Sequence, residues 1–305
     1  MDNRLKKISY SSLLTLHECP RKFQLYRLNA ETQQSDEDVG QSLTFLFGHV
    51  VGEGVQLALT GATEDEIIWT LFRRWDMDLF ECSERQNKSF FLALRAVSLF
   101  QHTILGDLLA DYGLVIYDSK PAIELGFQIF LPGGFVYRGF VDAVLRHKHT
   151  GEVIVLEIKT TSSRAPDPAQ YKNSSQAIGY SVVLDHIFKG LSSYKVMYLP
   201  YLTKECTFAP MEFTKSFVQR AAWLQDLYLD TKIIEMYDDI GLFPGRGESC
   251  YKFFRECEYF NLCTLSTDKL ITEAVEQEDD SHRYQFQIDF NRLIDTQLIN
   301  ATQEG

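Results

Sequence analysis

Hydrophobic spacing divides the chain into two regimes. Between Ser9 and Arg27, Leu13, Leu14 and Leu16 and then Phe23, Leu25 and Tyr26 follow helical spacing on either side of Pro20, and Ser9, Ser11 and Ser12 are all able to cap the first segment. The pattern predicts helix, break, helix. Residues 31–40, ETQQSDEDVG, are polar and acidic and read as a loop, after which Ser42 to Leu59 regains helical spacing despite three glycines. A further helical region, with aromatics on one face, runs from about Asp65 to Asp111.

From Pro121 the period falls to two. AIELGFQIFL, a turn at Pro132, Gly133 and Gly134, FVYRGFVDAVLRHK, a turn at Thr150 and Gly151, and EVIVLEIKTT predict a three-stranded antiparallel meander. Residues 164–174 read as a loop, and Ser175 to Phe188 as a helix capped by Ser174 or Ser175. YKVMYLPYL is a strand parallel to an earlier one, because a helix intervenes. Phe208 to Phe213 fits an edge strand, Thr214 to Asp238 a long helix, and Phe286 to Leu298 a helix within an acidic tail. With no internal repeat, the pattern implies one α/β core carrying a helical N-terminal insertion.

A chain of 305 residues that is 45% hydrophobic can bury the core of one or two domains. No window approaches the roughly 18 apolar residues of a membrane span, and MDNRLKKISYSS lacks the apolar stretch of a secretory signal, so the expected location is the cytoplasm, or a host's cytoplasm if a phage encodes the chain. Thirty basic against forty-two acidic residues give a net charge of -12, which argues against a broad positive surface coating nucleic acid. Any basic track is local, with Arg21, Lys22, Arg27, Arg73, Arg74 and Arg164 as candidates.

Asp142 falls near the end of FVYRGFVDAV, and Glu157 and Lys159 stand two apart in VLEIKTT. Residues i and i+2 of a strand share a face, so Glu157 and Lys159 point together while Ile158 points to the core. A hairpin register that set Asp142 beside Glu157 would bring two carboxylates and an ammonium to one sheet end. Phosphodiester hydrolysis uses such a group, with carboxylates to hold a divalent cation and positive charge where the transition state is most anionic. The bland alternative is a solvent-facing salt bridge on an edge hairpin. Against it, Glu157 follows VIVL, a run expected of a buried strand.

GFVDAVLRH, EVIVLEIKTTSS and then QAIGY together resemble the RecB-like branch of the PD-(D/E)XK nuclease superfamily, in which a G-x-x-D strand and an E-x-K strand precede a helix opening Q-x-x-x-Y. Gln176 and Tyr180 fill the last motif, one helical turn apart. His49, in LFGHVVGEGVQ, matches the family's metal-ligating histidine, and Glu124, in PAIELGF, the glutamate often found on the strand before the aspartate. His17, His147 and His149 lack such context. The resemblance implies a restriction-endonuclease-like core, a mixed central sheet flanked by helices. It also implies that His49, Asp142, Glu157 and the Ile158 carbonyl hold Mg²⁺ or Mn²⁺, that Lys159 orients or deprotonates the attacking water, and that Gln176 and Tyr180 contact the substrate backbone.

The six cysteines are unevenly placed: Cys250, Cys257 and Cys263 lie within fourteen residues, Cys19 stands near the N-terminus, and Cys82 and Cys206 read as simple core residues. In a chain without a secretion signal such a cluster points to metal more than to disulfides, and a four-thiol set suits Zn²⁺ or a [4Fe-4S] cluster alike. AddB-like and CRISPR-associated RecB-like nucleases carry one cysteine before the nuclease motifs and three after them on a [4Fe-4S] cluster, and Cys19, Cys250, Cys257 and Cys263 resemble that arrangement. Six residues separate Cys250 from Cys257 where the family usually has two.

The expected organisation is a helical N-terminal region over 1–120, a nuclease core over 121–240, a cysteine-cluster subdomain over 241–272 and an acidic tail over 273–305. The expected activity is a divalent-metal-dependent DNA exonuclease, acting on single- or double-stranded ends in recombination, replication or foreign-DNA processing and working with proteins of those processes. The alternative is a non-catalytic nucleic-acid or protein-binding module that keeps the nuclease fold. No Walker-type G-x-x-x-x-G-K-[ST] is present, so the chain carries no helicase motor of its own.

Overall fold

The computed structural model of the chain describes residues 1–28, 36–76, 88–188, 194–252, 255–264 and 281–304. Backbone contacts divide it into two units, one of Ser35–Leu125 and Val141–Ser216, the other of Met1–Gln34, Gly126–Phe140 and Phe217–Gly305. Two long strands, Ile123–Leu131 and Phe135–His147, pass through the division.

The first unit is built on a mixed sheet. Residues 143–146 pair antiparallel with 153–156, and Ile154 to Thr161 pair parallel with Lys195 to Leu202. The parallel step follows from the helix Ser175–Ile187 between those strands, as expected from the sequence. Val153, Ile154, Val155 and Leu156 are all fully buried, so the VIVL run is covered on both faces. On one face the helix Asp36–Leu59 sets Leu43, Phe47, Val50, Val51 and Val55 into a core shared with Ala143, Leu156, Ile158 and Tyr201. The helices Glu64–Arg74 and Phe90–Thr103 complete that core through Leu71, Val97 and Phe100. Gly54 is required for this packing, because a Cβ there would come within 2.4 Å of Val97 Cγ2.

Several boundaries differ from the sequence reading. The loop expected over 31–40 is helical from Asp36, and residues 31–35 lie outside the described residues. Acidic composition does not oppose a helix start, whose dipole favours negative charge. The loop over 164–174 contains a short helix, Pro168–Lys172, with Pro at its first position and Asp167 Oδ1 accepting from Ala169 N at 2.9 Å. The edge strand falls at Met211–Lys215, antiparallel to Tyr194–Tyr198, so the long helix starts only at Phe217. Cys206, expected in the core, is half-buried in a turn with φ of 50°; Cys82 lies outside the described residues.

In the second unit Ser9 caps the helix Tyr10–Glu18, and Ser12 returns the bond to complete a capping box. Pro20 then opens the helix Pro20–Arg27, which gives the expected helix, break, helix. Lys7–Ser9, not anticipated as a strand, pairs parallel with Val136–Arg138. The helix expected over 286–298 is a strand and then a helix: Phe286–Asp289 pairs parallel with Phe127–Phe130, and the helix is Phe290–Glu304. Burial of Phe286 and Ile288 and exposure of Gln287 and Asp289 show the period of two that four residues could not announce. Gly126 permits the crossing segment beside it, because a Cβ would lie 2.1 Å from the Arg283 carbonyl oxygen. No described helix is long and apolar enough to cross a membrane.

Candidate active site

The hairpin register is the one the sequence needed. Ala143 stands opposite Leu156, so one step further sets Asp142 opposite Glu157 on the same face, and there the ladder ends. In its place Asp142 Oδ2 accepts a hydrogen bond from Ile158 N at 3.1 Å. A side-chain carboxylate thus takes over where backbone pairing stops, which fixes Asp142 beside the Glu157 strand.

Glu157 is 1% exposed, which excludes the solvent-facing salt bridge considered from the sequence. Its Oε1 lies 2.5 Å from Lys159 Nζ, and Oε2 has no hydrogen-bond partner among the described residues. A buried carboxylate oxygen without a donor is costly unless something else compensates it. Lys159 Nζ also donates to Gln176 Oε1 at 3.1 Å, and Gln176 Nε2 donates to the Tyr180 hydroxyl at 2.7 Å. The E-x-K strand and the Q-x-x-x-Y helix are therefore joined in one line of bonds, Glu157 to Lys159 to Gln176 to Tyr180.

Burial, then the neighbouring charge of Glu157, pushes Asp142 well above the usual carboxylate range; Lys159 opposes this and Glu124 adds to it. Burial likewise raises Glu157, against the attraction of Lys159. Both acids thus resist ionising until a cation joins them. Two adjacent carboxylates, one with a bare oxygen, form a donor set that suits a hard divalent ion. Among the described residues, no three His, Cys, Asp or Glu side chains converge as a ready-made metal cluster.

Glu124 is exposed and held at φ 49°, in the left-handed region, where Gln56 Nε2 donates to its Oε1 at 2.6 Å. Gln56 also reaches the Asp142 carbonyl at 3.4 Å. His49 lies seven residues earlier on the same helix, exposed and with no hydrogen bond or ion pair to any described residue. Its helix packs on the Leu156 and Ile158 face, opposite Glu157 and Lys159, and a Cβ on Gly48 would stand 3.3 Å from Thr160 Oγ1. The structure therefore gathers Glu124, Asp142, Glu157, Lys159, Gln176 and Tyr180, and leaves His49 unlinked to them.

Two contributors escaped the sequence reading. Gln56 carries no motif, and Tyr171, whose hydroxyl is raised by burial and lowered by the charge of Lys159, sits in what read as loop. Its ring lies 4.8 Å from that of Tyr198, the cross-strand neighbour of Glu157. Of the basic candidates, Arg21 is bound to Gln24 and to the Cys263 carbonyl, Arg27 to the Arg4 carbonyl and Lys22 to Glu258, so these serve the second unit internally. Arg73, Arg74 and Arg164 are exposed.

In the second unit Cys19, Cys250, Cys257 and Cys263 are all free thiols. Cys257 N donates to the Cys250 carbonyl at 2.8 Å, and Arg21, two residues after Cys19, donates to the Cys263 carbonyl at 3.2 Å. Burial raises the Cys263 thiol first, and the thiols of Cys19 and Cys250 add to the shift; burial also raises Cys257, with a smaller contribution from Cys19. Cys19 and Cys250 thus act on Cys263, and Cys19 on Cys257, although no three of these side chains converge as a ready-made metal cluster.

Sheet, register and the carboxylate–lysine pair define a nuclease-type α/β core whose candidate site lies where the pairing between two adjacent strands ends. The chain belongs to the PD-(D/E)XK nuclease superfamily, whose family model matches residues 7–264. Among solved structures it is similar to a candidate exonuclease from Eubacterium rectale, at 10% identity over 81% of this chain and 87% of that one, with a TM-score of 0.48. It is also similar to the protein SSO0001, at 19% identity over 51% of this chain and 68% of that one, with a TM-score of 0.25. Superpositions at that level add nothing to the family assignment. No curated protein matches the chain.

Proposed function

We propose that the chain is a divalent-metal-dependent DNA exonuclease. The observation that carries this reading is the buried Glu157 carboxylate, with one oxygen on Lys159 and the other without a donor among the described residues, opposite a second, half-buried acid. Asp142, Glu157 and the Ile158 carbonyl would hold Mg²⁺ or Mn²⁺, and His49 is the further ligand that the family resemblance assigns. When bound, the ion supplies Lewis acidity toward the phosphoryl oxygens and lowers the pKa of water. Lys159, held between Glu157 and Gln176, orients the attacking water and places positive charge at the reacting phosphate. Gln176 and Tyr180 fix the ammonium and offer hydrogen bonds to the substrate backbone.

Cys19, Cys250, Cys257 and Cys263 would hold a [4Fe-4S] cluster that closes the chain between its N-terminal and C-terminal segments, a structural role that adds folding energy. The free thiols support this assignment, as do the bond from Arg21, two residues after Cys19, to the Cys263 carbonyl and the bond from Cys257 N to the Cys250 carbonyl.

The test is degradation of end-labelled linear single- and double-stranded DNA with Mg²⁺ or Mn²⁺. Loss of label from one terminus, abolished by EDTA and by Lys159→Ala, is the expected result. Random internal cuts would remove the exonuclease assignment, and no hydrolysis by folded, anaerobically prepared protein with either ion would remove the nuclease.

A further inference from the structure

Four aromatic rings stand exposed on the helices that flank the Glu157 sheet. Phe91 is 73% exposed, Trp69 64%, Phe45 59% and Phe72 48%. Three of them belong to one run of ring contacts: Trp69 to Phe72 at 6.2 Å, Phe72 to Phe90 at 5.8 Å and Phe90 to Phe91 at 5.8 Å. Scattered exposed apolar residues need no explanation, but a connected aromatic strip on a protein surface does.

Two bonds tie this strip to the helix Asp36–Leu59, which covers the Leu156 and Ile158 face of the sheet and reaches Glu124 and the Asp142 carbonyl through Gln56. Lys88 Nζ donates to Thr44 Oγ1 at 2.7 Å, bringing the start of the Phe90–Thr103 helix next to Phe45, one helical turn before His49. Arg74 meets Glu53 at 3.3 Å, so the Phe72 end of its helix returns toward the same stretch of the His49 helix. Arg95 is exposed one helical turn after Phe91. The cations follow the same direction: exposed Arg73 and Arg95 adjoin Phe72 and Phe91, while the acidic turn Glu64, Asp65 and Glu66 heads the far end of the Trp69 helix.

We propose that Phe45, Trp69, Phe72 and Phe91, with Arg73 and Arg95, form a stacking platform for a single nucleic-acid strand on its way to the Glu157 site. This rests on the nuclease reading above. Aromatic faces accept any base without reading sequence, and guanidinium groups between them meet the phosphates. In a chain of net charge -12, a local strip that combines stacking with cations holds an anionic strand where a broad positive surface is lacking.

The experiment uses the full chain carrying Lys159→Ala, in EDTA, with a fluorescein-labelled oligothymidylate of about twenty nucleotides. Anisotropy is expected to show binding, and Trp69→Ala with Phe91→Ala should weaken it by roughly tenfold or more. Trp69→Phe should keep most of the affinity yet remove most of the quenching of tryptophan emission by the oligonucleotide. Unchanged affinity in the double variant, absence of binding by the parent, or a changed oligomeric state with unchanged affinity would each overturn the platform, the last marking the strip as a protein interface. Hydrolysis of a small thymidine nitrophenyl phosphodiester with Mn²⁺, on chains with Lys159 intact, separates the two readings. The strip variants should turn it over as the native chain does, whereas no turnover by the native chain would remove the nuclease reading and leave the binding result standing.

Discussion

Asp142 and Ile158 are joined by a hydrogen bond from the Ile158 amide to Asp142 Oδ2, 3.1 Å long, at the point where the strand ladder ends. The carboxylate therefore has a structural task as well as a charge. Asp142→Asn keeps an acceptor for the amide and removes the charge, whereas Asp142→Ala leaves the amide without its partner, at a cost of about 1–3 kcal/mol. Denaturant melts should show the alanine variant clearly destabilised and the asparagine variant near the native chain, with DNA hydrolysis lost in both. Full activity in the asparagine variant would contradict the role given to the charge.

The raised pKa values of Asp142 and Glu157 set a pH dependence with a definite sign. In the unfolded chain both acids titrate near their ordinary value of about 4. Burial raises both in the fold, so the protonated forms are favoured there, and stability falls as the pH climbs from the ordinary value through the raised ones. A divalent ion requires the ionised forms, so its affinity rises over the same interval and binding releases protons. Mn²⁺ should raise the melting temperature more at about pH 7.5 than at about pH 5.5, and Glu157→Gln should shrink that difference. Equal shifts at the two pH values would count against a metal site on these acids.

Much of this site could be read from the chain because its parts are local. Two strand residues at i and i+2, a turn at Thr150 and Gly151 that fixes register, and a Gln–Tyr pair one helical turn apart are each set by short-range geometry. What could not be read depends on tertiary contact. Gln56 meets Glu124 only because the helix and the sheet pack together, and Tyr171 sits on a five-residue helix inside an apparent loop. The face to which His49 belongs follows from the packing of Phe47, Val50 and Val51, which a motif match does not carry. The strand Phe286–Asp289 is too short for its alternation to outweigh the helical spacing beyond it.

Gln176 is the hinge between the lysine and the helix. Gln176→Ala removes the acceptor that holds Lys159 Nζ and leaves the ion pair with Glu157 in place. Loss of such an orienting contact is expected to lower kcat by roughly 10–100-fold, as for outer-shell partners of metal ligands, with little change in stability. Tyr180→Phe removes only the hydroxyl that receives Gln176 Nε2 and should cost less. A tyrosine variant more damaged than the glutamine variant would require a direct role for that hydroxyl.

Lys215 offers a separate test away from the reacting atoms. It is fully buried, its Nζ donates to the Tyr171 and Lys172 carbonyls, and burial lowers its pKa to about 8. The unfolded lysine titrates near 10.4, about the model-peptide value, so the fold disfavours the charged form. The penalty is complete below the folded value and is relieved as pH rises toward the unfolded one. Relative to Lys215→Met, the native chain should gain stability between about pH 8 and 10, and urea melts across that range would show it. A constant difference would mean that the ammonium is compensated in the fold.

The cysteines make the most visible prediction. If Cys19, Cys250, Cys257 and Cys263 hold a [4Fe-4S] cluster, protein purified without oxygen is brown, absorbs in the sulfur-to-iron band and carries about four irons per chain. Cys19→Ser should bleach the band and lower thermal stability, because Cys19 opens the helix whose Leu25 packs on Tyr259 beside Cys257. Cys206→Ser should change neither, since Cys206 sits in a turn of the other unit with its Sγ on the Thr203 carbonyl. Colourless protein with one zinc per chain would give the same four thiols to a different metal, and colourless, metal-free, stable protein would leave them as buried packing groups.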